Sequence, residues 1–309
     1  MRTAVVDIGS NSTRLLIAEL DDGNVTAELE RRTTVTRLGS GVDADGRLAD
    51  DAMERTFNAL AEYKTEIDRR ECDTRVAVLT SAVRDSANGE QFASEVKRRY
   101  GLEPHVLTGD QEAQLTFLGA TSERDPSDRS PTLVFDIGGG STEMVIGAGR
   151  EVTFHVSTQA GVVRQTERHL QTDPPTEAEQ HKLSEDVHEI FVKAVPAQER
   201  SAVGHAIAVA GTATSLAAIA QDLEPYDPER VHGFMLTSDE CTRILARLAQ
   251  LPLAQRREVA GLHPDRAPTI IAGALIFEQV MDLFGLQRIE VSEHDILRGA
   301  ALGLGASHS

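Results

Sequence analysis

Short apolar runs and amphipathic stretches alternate along the chain, and they do so twice in the same order. "TAVVDI", "RLLIAEL" and "NVTAELERRTTVT" near the start read as strands, with "DDG" (21–23) as a hairpin turn between the last two. Met53, Phe57, Leu60, Ala61 and Ile67 then fall on one face at helical spacing. "RVAVLTS" reads as a buried strand and "GEQFASEVKRRYG" as a helix closed by Gly101. A short strand at 104–107 and a helix from about Asp110 to Ala120 complete the first half.

The polar stretch "SERDPSDRSP" (122–131) separates this half from a second one that repeats its programme. "TLVFDI", "EMVIGAG" and "EVTFHVS" read as three strands, and a helix over about 176–195 opens on the capping box Thr176–Glu179. "HAIAVAG" is a strand and "TSLAAIAQDL" a helix, and a second capping box at Thr237–Glu240 opens another. An apolar helix over 268–284, the strand "RIEVS" and a last helix at 295–305 follow. Each half is three strands and then alternating helices and strands, the order of an α/β sandwich.

The two halves share more than order. "DIGSNSTR" begins at Asp7 and "DIGGGSTE" at Asp136, a spacing of 129 residues. Asp7, Ile8, Gly9, Ser12, Thr13 and Ile17 recur as Asp136, Ile137, Gly138, Ser141, Thr142 and Ile146. A match at one fixed offset and in one structural context points to a duplicated domain. The length of 309 residues agrees, since roughly 150 residues make a domain.

Composition narrows the class. A net charge of −18 excludes non-specific binding to nucleic acid and to anionic membranes, which need a basic surface. It leaves room for a polyanionic ligand held by clustered arginines or through a cation. No stretch approaches the ~20 apolar residues that span a bilayer. "MRTAVVDIGS" has neither the length of a signal peptide nor a small-residue cleavage site, so the expected location is cytoplasmic. Cys72 and Cys241 are too few and too far apart for a disulfide framework, and the ten histidines show no metal-ligand spacing.

Each octapeptide is a strand end, an Asp, a run of small residues and a second strand. Glycines bring backbone N–H groups close to a ligand, and such concave turns bind anions. The hydroxyls of Ser10, Ser12, Ser141 and Thr142 add donors, and an Asp at a strand end suits a hard cation or its waters. Two such loops facing each other across an interdomain cleft would grip a phosphate chain from both sides.

Duplicated halves with paired loops resemble the actin/hexokinase/Hsp70 superfamily. Within it, the chain resembles the exopolyphosphatase / guanosine pentaphosphate phosphohydrolase family. The resemblance rests on "DIGSNSTRLLI", "TSAVRDS", "LTGDQEAQLTFLGA", "DIGGGSTE", "GVVRQTERHL", "GTATSLAA", "RVHG" and "HPDRAPTIIAGALI", which occur in family order over nearly the whole chain. It implies two duplicated actin-like (ribonuclease H-like) α/β domains with an interdomain cleft. Domain I is expected over 1–124, domain II over 125–294, and the C-terminal helix (about 295–309) is expected to pack back on domain I. The chain looks like the short, two-domain form, without the HD-like helical domain of long members.

The resemblance also implies roles. Glu112 matches the catalytic glutamate that positions or deprotonates the attacking water, although an acid in a helix first turn is also favoured for its own sake. Gly9, Ser10, Asn11 and Ser12, with Gly138, Gly139, Gly140, Ser141 and Thr142, match the phosphate loops, and Arg84 a phosphate-contacting arginine. Asp7, Asp136 and Glu143 match the acids that hold Mg²⁺, with Mn²⁺ as the alternative. Arg14 stands where the second loop has Glu143, so the second loop is expected to organise the metal. Arg164 and Arg168, four apart on one helix face, are expected along the substrate path or in ordinary salt bridges. Gly211 and Thr212 match a loop that lies by the adenosine in nucleotide-binding members, and Arg266 a structural arginine.

The expected activity is removal of terminal phosphate from inorganic polyphosphate, with pppGpp as a second substrate, by Mg²⁺-assisted in-line attack of water. The rivals are an ATP-dependent small-molecule kinase of the same superfamily and a non-catalytic sensor of polyphosphate or (p)ppGpp. Expected partners are polyphosphate, pppGpp or ppGpp, and a second copy in a homodimer, with no nucleic acid and no membrane.

Overall fold

The structure, a computed structural model, describes residues 1–125 and 127–305. The chain divides into two compact units: Met1–Ser122 together with the segment from Asp295 onward, and Glu123–His294. The last four residues of the expected C-terminal helix lie outside the described residues. No described helix is long and apolar enough to cross a membrane.

Among the described residues the first unit carries a five-stranded sheet. Its strands are β1 (Arg2–Ile8), β2 (Ser12–Asp21), β3 (Asn24–Val35), β4 (Thr74–Leu79) and β5 (Glu103–Val106), in the order β3-β2-β1-β4-β5. The second unit carries a six-stranded sheet of β6 (Thr132–Ile137), β7 (Thr142–Ala148), β8 (Glu151–Thr158), β9 (His205–Val209), β10 (Phe234–Thr237) and β11 (Arg288–Ser292). Its order, read from the matching edge, is β8-β7-β6-β9-β11-β10. In both units the first three strands are antiparallel and the next two join in parallel. The duplication read from the octapeptides is therefore a duplication of topology, and the edge strand β10 is what the second copy adds.

Sheet burial explains why β1 reads as a continuous apolar run. Ala4, Val6 and Ile8 pack with Leu60, Tyr63, Phe92 and Val96 of the helices Asp50–Arg69 and Gly89–Tyr100. Val5 points the other way, among Leu297, Ala300 and Ala301 of the helix Ile296–Gly305. Both faces are covered, as in parallel α/β sheets, so alternation with polar residues is lost. The Asp50–Arg69 helix buries Ala52, Thr56, Ala59, Leu60, Tyr63, Glu66 and Ile67, whereas Ala61 of the expected face is exposed. The face is centred on Tyr63, whose hydroxyl donates to Thr13 O at 2.8 Å.

Two helices of the first unit approach backbone to backbone. A Cβ on Gly119 would stand 1.9 Å from Asp295 O, and one on Gly299 would stand 1.8 Å from Leu115 O. The helix Gly109–Ala120, which carries Glu112, is thus locked against the helix that begins after Asp295.

Candidate active site

The two octapeptides form the same turn. Gly9 N–H donates to Ser12 O at 3.0 Å, and Gly138 N–H donates to Ser141 O at 2.9 Å. In each unit the chain that follows the third strand closes on the loop's carbonyls. Thr36 and Arg37 N–H donate to Asn11 O, and Gly39 N–H to Ser10 O. In the second unit Val162 N–H donates to Gly138 O, and Val163 N–H to Gly139 O. These amides open the helix Val162–His169. Taking up carbonyls this way leaves amides and hydroxyls as the loop's polar character, which suits an anion. Gly161 makes the contact feasible, because a Cβ there would stand 2.3 Å from Gly140 C and 2.4 Å from Gly139 O.

Hydroxyl roles differ from one residue to the next. Ser10 Oγ lies 3.0 Å from Ser81 Oγ, which ties the first loop to the "TSAVR" segment after β4. Ser141 Oγ donates to Glu143 Oε1 at 2.5 Å, and Ser157 Oγ donates to the same oxygen at 2.9 Å. Thr142, expected to offer its hydroxyl to phosphate, is buried and donates it to Ala160 O at 2.6 Å. It fixes the segment beneath the loop rather than presenting a donor. Thr212 is likewise buried and donates to Ile137 O at 2.8 Å, which anchors the end of β6. The sequence could not show this, since burial decides whether a threonine hydroxyl has a backbone partner.

The acids occupy matched places and make unlike contacts. Asp7 is the register partner of Arg14 across β1–β2, and Asp136 of Glu143 across β6–β7. Arg14 Nη2 lies 2.6 Å from Asp7 Oδ2, and its Nη1 lies 2.5 Å from Asp295 Oδ2. Arg31 Nη1 is 3.6 Å from Asp295 Oδ1. Asp7 is 3% exposed, and burial pushes its carboxyl above the usual range even though Arg14 pulls it down. Its Oδ1 is buried without a hydrogen-bond partner. An orphaned carboxylate oxygen of this kind suits a cation; in the second unit Asp136 and Glu143 likewise carry the oxygen type that a hard divalent ion takes. Asp295 is the residue that sequence reasoning missed. Its signal was an acid directly before an apolar helical run, and its Oδ1 indeed accepts Leu297 N–H at 3.0 Å.

Glu112 sits in the first turn of its helix, but the capping there is done by others. Thr108 and Gln111 form the capping box, and the Glu112 carboxylate instead accepts Arg84 Nη1 at 3.1 Å. Arg84 Nη1 also donates to Leu107 O at 2.8 Å. Arg84 and Glu112, taken separately from "TSAVR" and "GDQEAQ", are thus one pair, both partly exposed. With Ser10 on Ser81, the pair belongs to the same corner of the first unit as its loop.

The two arginines of "GVVRQTERHL" separate. Arg164 Nε donates to Gly140 O at 3.1 Å, at the second loop. Arg168 pairs with Asp186 at 2.9 Å, and His169 Nε2 lies 3.1 Å from the same carboxylate oxygen. Gly211 meets Arg266, since a Cβ there would stand 1.8 Å from Arg266 Nη1. Ala210, one residue earlier, holds φ at 61°, a strained backbone of the sort found at binding loops.

The model of the Ppx/GppA phosphatase family matches residues 16–304. Exopolyphosphatase 2 of Mycobacterium tuberculosis is 38% identical over 319 aligned residues, 98% of this chain and 98% of that protein. The solved structure of the Ppx/GppA family member of Aquifex aeolicus superposes with a TM-score of 0.84 at 33% identity, over 100% of this chain and 99% of that one. An exopolyphosphatase from Cytophaga hutchinsonii superposes with a TM-score of 0.86 at 25% identity, over 99% and 98%. The chain belongs to the Ppx/GppA phosphatase family, enzymes that hydrolyse phosphoric anhydrides on a two-domain actin-like fold.

Proposed function

We propose that the protein is an exopolyphosphatase that removes terminal phosphate from inorganic polyphosphate, and that it also converts pppGpp to ppGpp. The observation that carries the reading is the Arg84–Glu112 pair. It is a carboxylate with an adjacent phosphate-binding cation, set apart from helix capping. The exopolyphosphatase name of the 38% identical relative supports the polyphosphate substrate. Hydrolase chemistry, given by the family, leaves the kinase reading without support.

In the proposed reaction a water oxygen attacks the terminal phosphorus in line with the bridging oxygen. Its proton passes to Glu112, the bridging P–O bond breaks, and orthophosphate and a chain one unit shorter leave. Arg84 contacts a phosphate oxygen and holds Glu112 in place. Within the first loop the amides of Ser10, Asn11 and Ser12, and within the second those of Gly139, Gly140 and Ser141, would receive phosphate oxygens, because Gly9 and Gly138 N–H are taken up inside the turns. Positioning and charge neutralisation are most of what phosphoryl transfer requires. Asp136 and Glu143 would hold Mg²⁺ or Mn²⁺, which supplies positive charge against the transferred phosphoryl group when bound. Ser141 and Ser157 both donate to Glu143 Oε1, which holds the carboxylate in one orientation.

Hydrolysis measured side by side on polyphosphates of several lengths and on pppGpp, with Mg²⁺ and without other nucleotide, tests the reading. Release of orthophosphate from polyphosphate supports it, and turnover of pppGpp alone would replace polyphosphate as the substrate.

A further inference from the structure

Among residues outside the two loops, the second unit brings three ligand-bearing side chains together that its sequence keeps apart. Glu123, His232 and His294 each offer one atom, and these atoms lie within 4.8 Å of one another. His232 Nε2 is 3.3 Å from Glu123 Oε2, and His294 Nδ1 is 3.8 Å from Glu123 Oε1. The two imidazoles lie 4.1 Å apart, centroid to centroid, at an interplanar angle of 41°. Glu123 and His294 are the first and last residues of the unit in the chain.

The backbone holds this group in place. Gly233 N–H donates to Val291 O at 2.8 Å, which zips the start of β10 to the end of β11 and sets His232 beside residues 292–294. His232 Nδ1 faces Ser292 Oγ and Glu293 N–H, each at 3.3 Å, so its ring is oriented with Nε2 toward Glu123. Ser292 Oγ in turn accepts His294 N–H at 2.9 Å. Contacts of this kind on the far ring nitrogen hold the imidazole in one orientation, as the outer partners of a metal-ligating histidine do.

We propose that Glu123, His232 and His294 form a binding site for a first-row transition-metal ion of the Zn²⁺ class, which clasps the first and last residues of the second unit. Two imidazoles and one carboxylate suit such an ion far better than Mg²⁺, and water completes a tetrahedral set. The ligand atoms need only draw in toward an ion at about 2.0–2.2 Å from each. Coordination through Nε2 puts the ring proton on Nδ1, where it donates to Ser292 Oγ in place of the contact with Glu293 N–H. The site is independent of the hydrolytic reading, because none of its residues belongs to the loops or to the Arg84–Glu112 pair.

The test uses the full chain, stripped with chelator and kept in excess Mg²⁺ so that oxygen-only sites are filled. Titration with Co²⁺ should give one equivalent with the visible absorption of a tetrahedral ion, displaced by Zn²⁺, and Zn²⁺ should raise Tm. His232→Gln and Glu123→Ala should abolish the absorption and the Tm rise, and Ser292→Ala should weaken binding by about 10–100-fold. Glu123 is exposed, so its variant decides the matter if a histidine variant does not fold. No saturable binding to the unmodified chain, or binding unchanged in Glu123→Ala, would overturn the proposal. The second result would place the ion on other carboxylates.

Discussion

Arg14 binds Asp7 directly across neighbouring strands, Nη2 to Oδ2 at 2.6 Å, in the register position where the second unit has Glu143 opposite Asp136. The duplicated halves have diverged at one position from a cation that neutralises the strand-end acid to a second acid beside it. Removing Arg14 therefore acts first on stability. Arg14→Met leaves Asp7 and Asp295, both buried, without their shared cation, and a broken buried pair costs about 3–5 kcal/mol. Arg31 near Asp295 keeps the loss at the lower end. Glu143→Gln should instead leave Tm nearly unchanged and raise the Mg²⁺ concentration needed for half-maximal activity. Equal effects of the two changes on metal dependence would contradict the asymmetry.

Arg164 and Arg168 were indistinguishable by spacing, and the structure sends them to different places. Arg168→Ala removes a partly exposed pair worth about 0–1 kcal/mol and should leave kcat/KM for polyphosphate within about twofold. Arg164→Ala removes the side chain that touches the second loop at Gly140 O, and should raise KM clearly more. Steady-state kinetics on one polyphosphate length, for both variants, checks the ordering.

Gly161 is the point at which the chain passes closest to the second loop. Gly161→Ala forces a Cβ to 2.3 Å from Gly140 C, so the loop backbone must shift. Overpacking of this kind costs about 1–3 kcal/mol in stability, read as a fall in Tm. The displaced loop should lower kcat/KM by more than that loss of folded protein explains.

Much of the architecture was legible because local rules carry it. Both capping boxes, Thr176–Glu179 and Thr237–Glu240, form as their spacing requires, and "DDG" is the β2–β3 turn with Asp22 and Gly23 at positive φ. What the sequence could not show depends on packing in three dimensions. Thr142 and Thr212 look like loop donors until burial assigns their hydroxyls to Ala160 O and Ile137 O. Asp295 accepts Leu297 N–H at the start of the last helix and shares Arg14 with Asp7, although Arg14 and Asp295 are 281 residues apart in sequence. His232 and Glu123 are 109 residues apart, beyond any metal-ligand spacing rule. The short turn Ser81–Arg84 carries too few residues for a periodic signal, yet it delivers Arg84 to Glu112.

Acid should unfold the first unit partly through Glu66. Its carboxylate accepts from Arg69 and then Arg70, which hold it at about 2, against an ordinary value near 4.5. A depressed carboxyl stabilises the folded chain above the unfolded value, and the contribution fades as pH falls from about 4.5 toward 2. Glu66→Gln should therefore lower Tm at pH 7, with the gap to the unmodified protein closing as pH drops through that window. A gap that stays constant with pH would show that the charge is not the cause.

The most direct measurement is orthophosphate release from polyphosphate with Mg²⁺ and no nucleotide, for the unmodified chain and for Glu112→Gln. The amide keeps the shape of Glu112 but cannot take a proton, so release should fall by about 10²–10⁴-fold while Tm and polyphosphate affinity change little. An unmodified chain that releases no phosphate, or a Glu112→Gln variant that keeps near-full activity, would contradict the assignment of Glu112 as the base.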